Sequence, residues 1–415
     1  MSSATITPSA RKTDHGAGFL AGTIGWTLDA FDFFLVVFSL TAIGREFHKP
    51  DTTVSLAIVM TLAFRPLGGF VFGVLADRYG RRLPMIWNLG MCAMVQLLSG
   101  LAPSFGMFLV SRALFGVIMG GQWGVGASLA MEKAPVQLRG LLSGILQQGY
   151  AAGYLLAALC YWLMFPRFGW RPLFFLACLP ALAAAVFVAL KVRESEVWER
   201  THQQSWAGFW KALASNWKLL AYIMLFTMTL HMCSHGSQDM YPTFLERQWG
   251  FGAGQRALLT AGSMVGALAG GILCGFLSDR WGRRRMMITA LSGALLVTPL
   301  WAFAPTAGLL VTGAFLMQFL IQGAWGVAPA YLAELAPDSL RGFLPGFGNA
   351  CGVVLASSVV YLEAVFAHRS SYAIAMACTA GAVLAAAIAM TALGGENKAV
   401  RFGEALGLDS TGPRP

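Results

Sequence analysis

Apolar residues occur along the whole chain in runs of about twenty, separated by short polar or charged connections. A run of this length forms a helix that can cross the ~30 Å hydrocarbon core of a bilayer. The pattern predicts an all-α polytopic membrane protein with twelve transmembrane helices, over residues 17–44, 53–76, 84–102, 104–131, 140–165, 170–191, 217–245, 256–278, 286–304, 307–333, 343–366 and 370–394.

A single long polar connection, residues 192–216, divides these helices into two sets of six. We expect an N-terminal half over 1–191, a C-terminal half over 217–394 and a tail over 395–415. Only 12% of the residues are charged, against about 25% in ordinary soluble domains. The composition therefore excludes a soluble enzyme.

The net charge of +10 has a topological explanation. With both termini in the cytoplasm, most of the 29 Lys and Arg residues fall in cytoplasmic connections, as the positive-inside rule requires. This distribution predicts a multi-pass protein of the bacterial cytoplasmic (inner) membrane, with lipids and no nucleic acid among its partners. We expect a monomer.

The sequence carries no catalytic motif. The seven cysteines are scattered in apolar runs, without the spacing of a metal site or a disulfide framework. A nucleophile elbow and a phosphate-binding loop are also missing. We therefore expect neither an enzyme nor a metal or organic cofactor.

The two halves repeat each other at a constant shift of 202 positions. The segment Gly-Val-Leu-Ala-Asp-Arg-Tyr-Gly-Arg-Arg from Gly73 returns as Gly-Phe-Leu-Ser-Asp-Arg-Trp-Gly-Arg-Arg from Gly275, and the same shift carries Glu132 onto Glu334. Parallel six-helix repeats around a central cavity are a transporter architecture.

Both copies of this segment fall where a helix leaves the membrane on the expected cytoplasmic side. Their glycines permit close helix approach, and the aspartate can face a helix N-terminus or an arginine. We expect a gate whose charge contacts hold one conformation shut. Its predicted residues are Asp77, Arg78, Arg81, Glu132, Asp279, Arg280, Arg283 and Glu334. The segment resembles the signature of the major facilitator superfamily, which implies that fold.

Ionisable residues inside the apolar runs that do not repeat are candidates for function, because a site for an asymmetric solute has no reason to repeat. Insertion of an Arg or Asp side chain at the centre of a membrane helix costs ~2.5–3.5 kcal/mol of free energy, so a partner or a function is expected for such a residue. The unrepeated residues are Asp29, Asp32, Arg65, Arg112, His231, His235 and Asp239.

Spacing places the candidates for proton coupling on common helix faces. Asp29 and Asp32 are three positions apart, and His231, His235 and Asp239 follow at intervals of four. Two carboxylates in one low-dielectric site repel, so at least one tends to keep a proton. We predict proton coupling by Asp29, Asp32, Asp239 and His231.

Arg65 and Arg112 are the candidates for anion binding. A guanidinium presents a planar fork of donors that suits a carboxylate. The alternative is that each arginine neutralises an internal aspartate, with Asp32 as the obvious partner.

The segment Ser-His-Gly-Ser-Gln-Asp from Ser234 carries a narrower resemblance. It resembles the N-x-x-[ST]-H-x-S-Q-D-x-x-x-T motif of the Jen-type lactate and pyruvate proton symporters, within the sialate:proton symporter group. Every motif position matches except the first, where His231 replaces asparagine. The resemblance implies that Arg65 engages the substrate carboxylate and that His235, Gln238 and Asp239 take part in binding or proton coupling. The alternative is a polar, hydrated helix end.

These observations predict a secondary active transporter that couples protons to the symport of a small organic anion by alternating access. A monocarboxylate such as lactate or pyruvate is the expected substrate. The alternatives are a sialate or aromatic-acid symporter, an efflux antiporter or facilitator for hydrophobic compounds, and a receptor that signals through residues 192–216. Glu363 is expected near an outer membrane interface, in contact with water.

Overall fold

The computed structural model describes residues 8–201, 205–398 and 400–403, and the described elements are all helical. Twelve long helical stretches follow the predicted runs, which confirms the predicted fold class. They are α1 (Pro8–Glu46), α2 (Leu56–Tyr79), α3 (Arg82–Gly100), α4 (Phe105–Lys133), α5 (Val136–Phe168), α6 (Arg171–Lys191), α7 (Trp217–Arg247), α8 (Ala253–Trp281), α9 (Arg283–Phe303), α10 (Ala307–Leu335), α11 (Phe343–Ala356 and Ser358–Arg369) and α12 (Tyr372–Leu393). Eleven are long and apolar enough to cross a membrane.

Parts of the predicted organisation lie outside the described residues. They are residues 1–7 of the N-terminal half, 202–204 of the central connection, and 399 and 404–415 of the tail.

Several helices are broken where the sequence predicts one continuous run. Helix α2 is interrupted at Phe64, and α7 is interrupted at 239–240, between Gln238 and Tyr241. In both, a proline (Pro66 and Pro242) follows the break and occupies the first turn of the next segment. Proline lacks the N–H of a helix interior and disfavours helical conformation in the residue before it. The breaks thus stand next to candidate site residues, as in other transporter folds.

Helices α2 and α11, and helices α5 and α8, form the interface between the two halves. Glycines bring these backbones into contact. A Cβ atom on Gly73 would lie 2.9 Å from the Cα of Phe343, and one on Gly140 would lie 2.4 Å from the carbonyl oxygen of Gly275. Larger residues at these positions would push the halves apart.

The start of α1, the end of α12 and the central connection lie on the same side of the molecule, because twelve helices alternate in direction. We call this side the terminal face. The connection contains two short helices, Glu196–Thr201 and Trp206–Ser215. The Trp198 indole donates to the carbonyl oxygen of Asp77 at 2.9 Å. The connection is therefore packed against the first copy of the repeated segment.

Candidate functional site

The first copy of the repeated segment joins the two halves at the terminal face. The carboxylate of Asp77 accepts hydrogen bonds from the backbone N–H groups of Gly342 and Phe343, each at 2.8 Å, where α11 begins. Arg81 pairs with Asp77 and with Glu132, both at 3.0 Å. Because a helix N-terminus is electropositive, Asp77 stabilises the start of a helix in the opposite half.

The second copy repeats this arrangement with the halves exchanged. Asp279 accepts from the backbone N–H groups of Gly140 at 2.8 Å and Leu141 at 3.0 Å. Arg283 pairs with Asp279 at 2.8 Å and with Glu334 at 3.1 Å. We call these two networks the terminal-face seam, which is closed in this structure.

The two remaining predicted gate residues lie beside these networks. The guanidinium of Arg78 lies over the Trp206 ring at 5.5 Å, and that of Arg280 lies over the Phe276 ring at 5.2 Å. They contribute packing at the edge of the seam.

Two glutamates of the seam are not among the predicted gate residues. Glu194 accepts from the backbone N–H of Arg81 at 2.7 Å, and Glu396 accepts from that of Arg283 at 3.0 Å. The shift of 202 that relates the halves also relates these two glutamates. The internal repeat could therefore have identified them.

A residue of the tail lies across the seam. The Phe402 ring contacts two arginine side chains from opposite halves, with its centroid 3.9 Å from the Cζ of Arg139 and 3.7 Å from that of Arg341. Arg139 also pairs with Glu334 at 3.1 Å. Cation–π contacts of this kind are attractive, so the tail ties both halves together.

Behind the seam lie two connected cavities. The first, which we call the inner chamber, has a volume of about 60 Å³ and is lined by Arg65, Tyr150, His231, His235, Gln238 and Trp325 among others. The second, the outer vestibule, has a volume of about 410 Å³ and shares Tyr150, His235 and Gln238 with the chamber. Phe38 and Trp301 line the vestibule near the ends of α1 and α9, helices that begin at the terminal face. The vestibule therefore extends toward the opposite face.

Arg65 begins the second segment of α2, directly after the break at Phe64. Two glycines of α4 hold its backbone in place, because a Cβ on Gly120 would lie 1.9 Å from the Arg65 carbonyl oxygen and one on Gly116 would contact Thr61. Arg65 is 5% exposed, and its Nε has no hydrogen-bond partner. Among the described residues, no carboxylate forms an ion pair with it. Arg65 is thus a buried cation that faces the chamber and has no carboxylate within ion-pair distance among the described residues.

Arg112 is placed differently. Its guanidinium donates to Oε1 of Gln96 at 3.2 Å and to the hydroxyl of Ser99. It lines neither cavity, and no ion pair links it to Asp32 within the described part of the chain. Three rings surround the guanidinium, with centroids 5.0–5.5 Å from Cζ: Phe108, Phe115 and Phe174. Arg112 therefore reaches neither cavity in this conformation, and its substrate contact stays a prediction.

Asp29 and Asp32 are each 1% exposed and line neither cavity. Asp32 accepts a hydrogen bond from the Cys92 thiol at 3.0 Å, while its Oδ1 and the Oδ2 of Asp29 have no hydrogen-bond partner. Asp29 lies within electrostatic range of both Asp32 and Arg65. The two acids therefore form a buried pair behind the arginine of the chamber.

The polar residues of α7 face the cavities. The Nδ1 of His235 lies 3.0 Å from Oδ2 of Asp239. Gln238 donates to Oε1 of Gln318 on α10 at 2.6 Å. His235 and Gln238 line both cavities, whereas Asp239 lines only the vestibule. The structure thus brings this motif opposite Arg65.

His231, where the resembled motif has asparagine, is held by two neighbours that the sequence analysis did not assign to it. Its Nε2 hydrogen bonds with Oδ1 of Asn349 at 3.0 Å. Its ring lies 4.6 Å from that of Trp325, which donates to the Ser234 hydroxyl at 2.9 Å. These partners are far from His231 in the sequence, and only the tertiary structure identifies them.

The expected contact of Glu363 with water is wrong. The side chain is 1% exposed and packs inside the protein, because the second segment of α11 turns it toward α7 and α12. The repeat could have drawn attention to it, since the shift of 202 maps Glu363 onto Tyr161.

A closed seam between two six-helix repeats and a polar chamber at their centre define a multi-pass membrane transporter. The model of the Major Facilitator Superfamily matches residues 22–237 and 236–405. The chain belongs to this family. It is accordingly a transporter and not an enzyme.

Several characterised or named proteins resemble the chain. A carboxylic acid transporter protein homolog of Saccharomyces cerevisiae is 26% identical over 377 residues, which are 85% of this chain and 61% of the yeast protein. A probable 4-methylmuconolactone transporter of Cupriavidus pinatubonensis is 29% identical, with 87% and 85% covered. The chain thus spans less than two thirds of the yeast relative.

Solved structures show the same fold. The proton:xylose symporter XylE superposes with a TM-score of 0.76 at 18% sequence identity, over 95% of this chain and 98% of that chain. At this identity the likeness concerns the fold alone.

Proposed function

We propose that the protein is a proton-coupled symporter of a small organic anion, with a monocarboxylate such as lactate or pyruvate as its substrate. The observation that carries the proposal is the buried guanidinium of Arg65, which lines the inner chamber and pairs with no carboxylate of the described residues. A buried charge without a partner is costly. A substrate carboxylate supplies the missing counter-charge and fits the planar fork of the guanidinium.

The size of the inner chamber favours a small acid. Its volume of about 60 Å³ accommodates about four water-sized groups, since one water needs roughly 10–15 Å³ of such volume. This size suits a carboxylate with a short chain, and Arg65, His231 and His235 line the chamber. The name of the yeast relative, a carboxylic acid transporter homolog, supports the same class.

The coupling proton is assigned to the buried acids Asp29 and Asp32 or to the pair formed by His235 and Asp239. Asp29 and Asp32 each keep a carboxylate oxygen without a donor, which favours the protonated form in a low-dielectric site. With a proton bound and the anion on Arg65, the interior is close to neutral. The halves, 1–191 and 217–394, can then rock apart at the terminal-face seam and release both solutes.

We assign the terminal face to the cytoplasm of a bacterium, with both termini inside and the protein acting as a monomer among membrane lipids. The basic residues of the seam and the central connection support this orientation under the positive-inside rule. The present conformation, with the seam closed, then corresponds to the outward-facing state. Protons are the coupling ion, and no other cofactor enters the cycle.

An aromatic acid is the second candidate substrate. The vestibule wall includes Phe34, Phe38 and Tyr154, with the ring centroids of Phe34 and Tyr154 4.8 Å apart in an edge-on arrangement. Such a wall can stack a planar ring while the carboxylate reaches toward Arg65. The relative from Cupriavidus, a probable 4-methylmuconolactone transporter, supports an unsaturated substrate.

Uptake into proteoliposomes tests both candidates. Purified protein is reconstituted, and uptake of labelled lactate, pyruvate, benzoate and sialate is measured with and without an inward proton gradient. We expect gradient-stimulated accumulation of lactate or pyruvate, and competition by benzoate if the vestibule accepts a ring. Absence of gradient-stimulated uptake for every acid would overturn the symporter proposal.

A further inference from the structure

Glu363 is a buried acid that the proposed cycle does not use. It lies in the second segment of α11, is 1% exposed, and neither Oε1 nor Oε2 has a hydrogen-bond partner. Its carboxyl group lies against α7 at Gly236, where an added Cβ atom would be 3.5 Å from Oε1. Gly236 directly follows His235 of the inner chamber. A Cβ atom at this distance would be in ordinary van der Waals contact, so the carboxyl group packs directly on the backbone of α7.

The surroundings of Glu363 favour the neutral acid. An ionised carboxylate without donors or a counter-ion is strongly disfavoured inside a protein. The helices packed against this segment are α7 and α12. From α7, the facing ionisable groups are Asp239, which lies within electrostatic range, and His235, its hydrogen-bond partner. Helix α12 carries no Asp, Glu, Lys, Arg or His, and its titratable side chains are Tyr372 and Cys378. Among the described residues, no Lys, Arg or His forms an ion pair with Glu363.

We propose that Glu363 binds a second coupling proton, so that each cycle carries two protons with one monoanion. The inference rests on the proposed function, since it assumes an organic anion and a first coupling proton. Glu363 holds its proton while the seam is closed. It releases the proton when the halves have rocked and water reaches the acid along α7.

The consequence is electrical. One proton and one monoanion move no net charge, whereas two protons and one monoanion move one positive charge inward. An inside-negative membrane potential then drives accumulation. At equilibrium, a tenfold K⁺ gradient clamped with valinomycin raises the accumulation of the anion by up to about tenfold for one net charge.

The test measures lactate accumulation in proteoliposomes at a fixed pH gradient, with and without an inside-negative K⁺ diffusion potential. For the natural protein we expect a response to the potential, and two protons per lactate in parallel measurements of proton flux with a pH-sensitive dye. In Glu363→Gln, which keeps the shape of the side chain, uptake should fall and the remaining uptake should no longer respond to the potential. Glu363→Asp, which keeps the acid, should retain a response.

Glu246→Gln is the matched control, because this glutamate lies at the end of α7 and pairs with Arg256 at the surface. It should keep the response of the natural protein.

If lactate and protons move one to one and the potential has no effect, the inference is overturned while the symporter proposal stands. A Glu363→Gln protein that still responds to the potential overturns it as well. If Glu363→Gln is inactive, two protons per lactate in the natural protein together with a retained response in Glu363→Asp support the inference. One proton per lactate, or a Glu363→Asp protein that does not respond to the potential, overturns it. No gradient-driven uptake of any acid by the natural protein would instead remove the proposed function.

Discussion

The terminal-face seam and the inner chamber both bury arginine, and they treat it in opposite ways. In the seam, Arg81 and Arg283 each pair with two carboxylates at 2.8–3.1 Å. In the chamber, Arg65 has no such partner among the described residues. Satisfied charges that repeat between the halves hold one conformation together. An unsatisfied charge that does not repeat is available to a ligand.

The largest expected effect tests the unsatisfied charge. Arg65→Ala should lower lactate uptake at least about 30-fold, because loss of one partner of a buried charge pair costs roughly 2–5 kcal/mol. Arg65→Lys keeps the charge without the planar fork and should lose about tenfold. Initial rates in proteoliposomes provide the measurement.

The same variants test the comparison through stability. Removal of Arg65 breaks no ion pair of the described residues, so the thermal midpoint of Arg65→Ala in detergent should fall less than that of Arg283→Ala. Arg283→Ala, which removes the cation that Asp279 and Glu334 share, should unfold at a lower temperature. Arg256→Ala, at a surface ion pair with Glu246, controls for loss of an arginine as such. Uptake by Arg65→Ala within twofold of the natural rate would place the anion elsewhere.

An intermediate effect is expected in the seam. Asp77→Asn should weaken the cap on α11, and Asp279→Asn should weaken the cap on α5, by about 1 kcal/mol each. Hydrogen exchange of the amides at 342–343 should accelerate several-fold in the first variant, and that at 140–141 in the second. Mass spectrometry of the peptides that contain these amides measures the rates.

Each of these two variants is the control for the other, because each cap lies in a separate network. Comparable acceleration in both copies would confirm that the seam is symmetric in energy as well as in sequence. Unchanged exchange at both sites would mean that the aspartates do not hold the seam closed.

The smallest effect concerns the tail. Phe402→Ala removes the ring between Arg139 and Arg341, and exposed cation–π contacts contribute about 0.5–1 kcal/mol each. Because Arg139 and Arg341 keep their carboxylate partners, we expect amide exchange at the seam to rise less than in the aspartate variants, by about twofold, which corresponds to about 0.5 kcal/mol. Phe402→Trp keeps a ring and should behave like the natural protein. Equal exchange in the alanine and tryptophan variants would show that the ring does not hold the halves together.

Much of the fold and the seam could be predicted from the sequence because both depend on local patterns. Apolar runs of membrane length predict helices without knowledge of their neighbours. The repeated segment indicates its own partners, since Asp77, Arg81 and Glu132 recur at the same shift as Asp279, Arg283 and Glu334. The breaks within α2 and α7 are less visible in the hydropathy, although Pro66 and Pro242 mark them.

The site could be predicted as a set of residues but not as an arrangement. Arg65 and Arg112 are equivalent in the sequence, as lone arginines in apolar runs. Whether such a residue faces a cavity or a neighbouring helix depends on side-chain direction and on the helices packed around it. Three phenylalanine rings enclose Arg112, whereas Arg65 faces the chamber.

By itself, the sequence determined the membrane class, the number of helices, the repeat and the ionisable residues that break it. Hydropathy and periodicity are properties of one segment at a time, so they can be recognised without knowledge of the tertiary structure. Only the tertiary structure decided that Arg65 has no ion-pair partner among the described residues, that Phe402 joins two arginines, and that Glu363 is buried against Gly236. These are relations between segments far apart in the chain, and they exist only once the helices are packed.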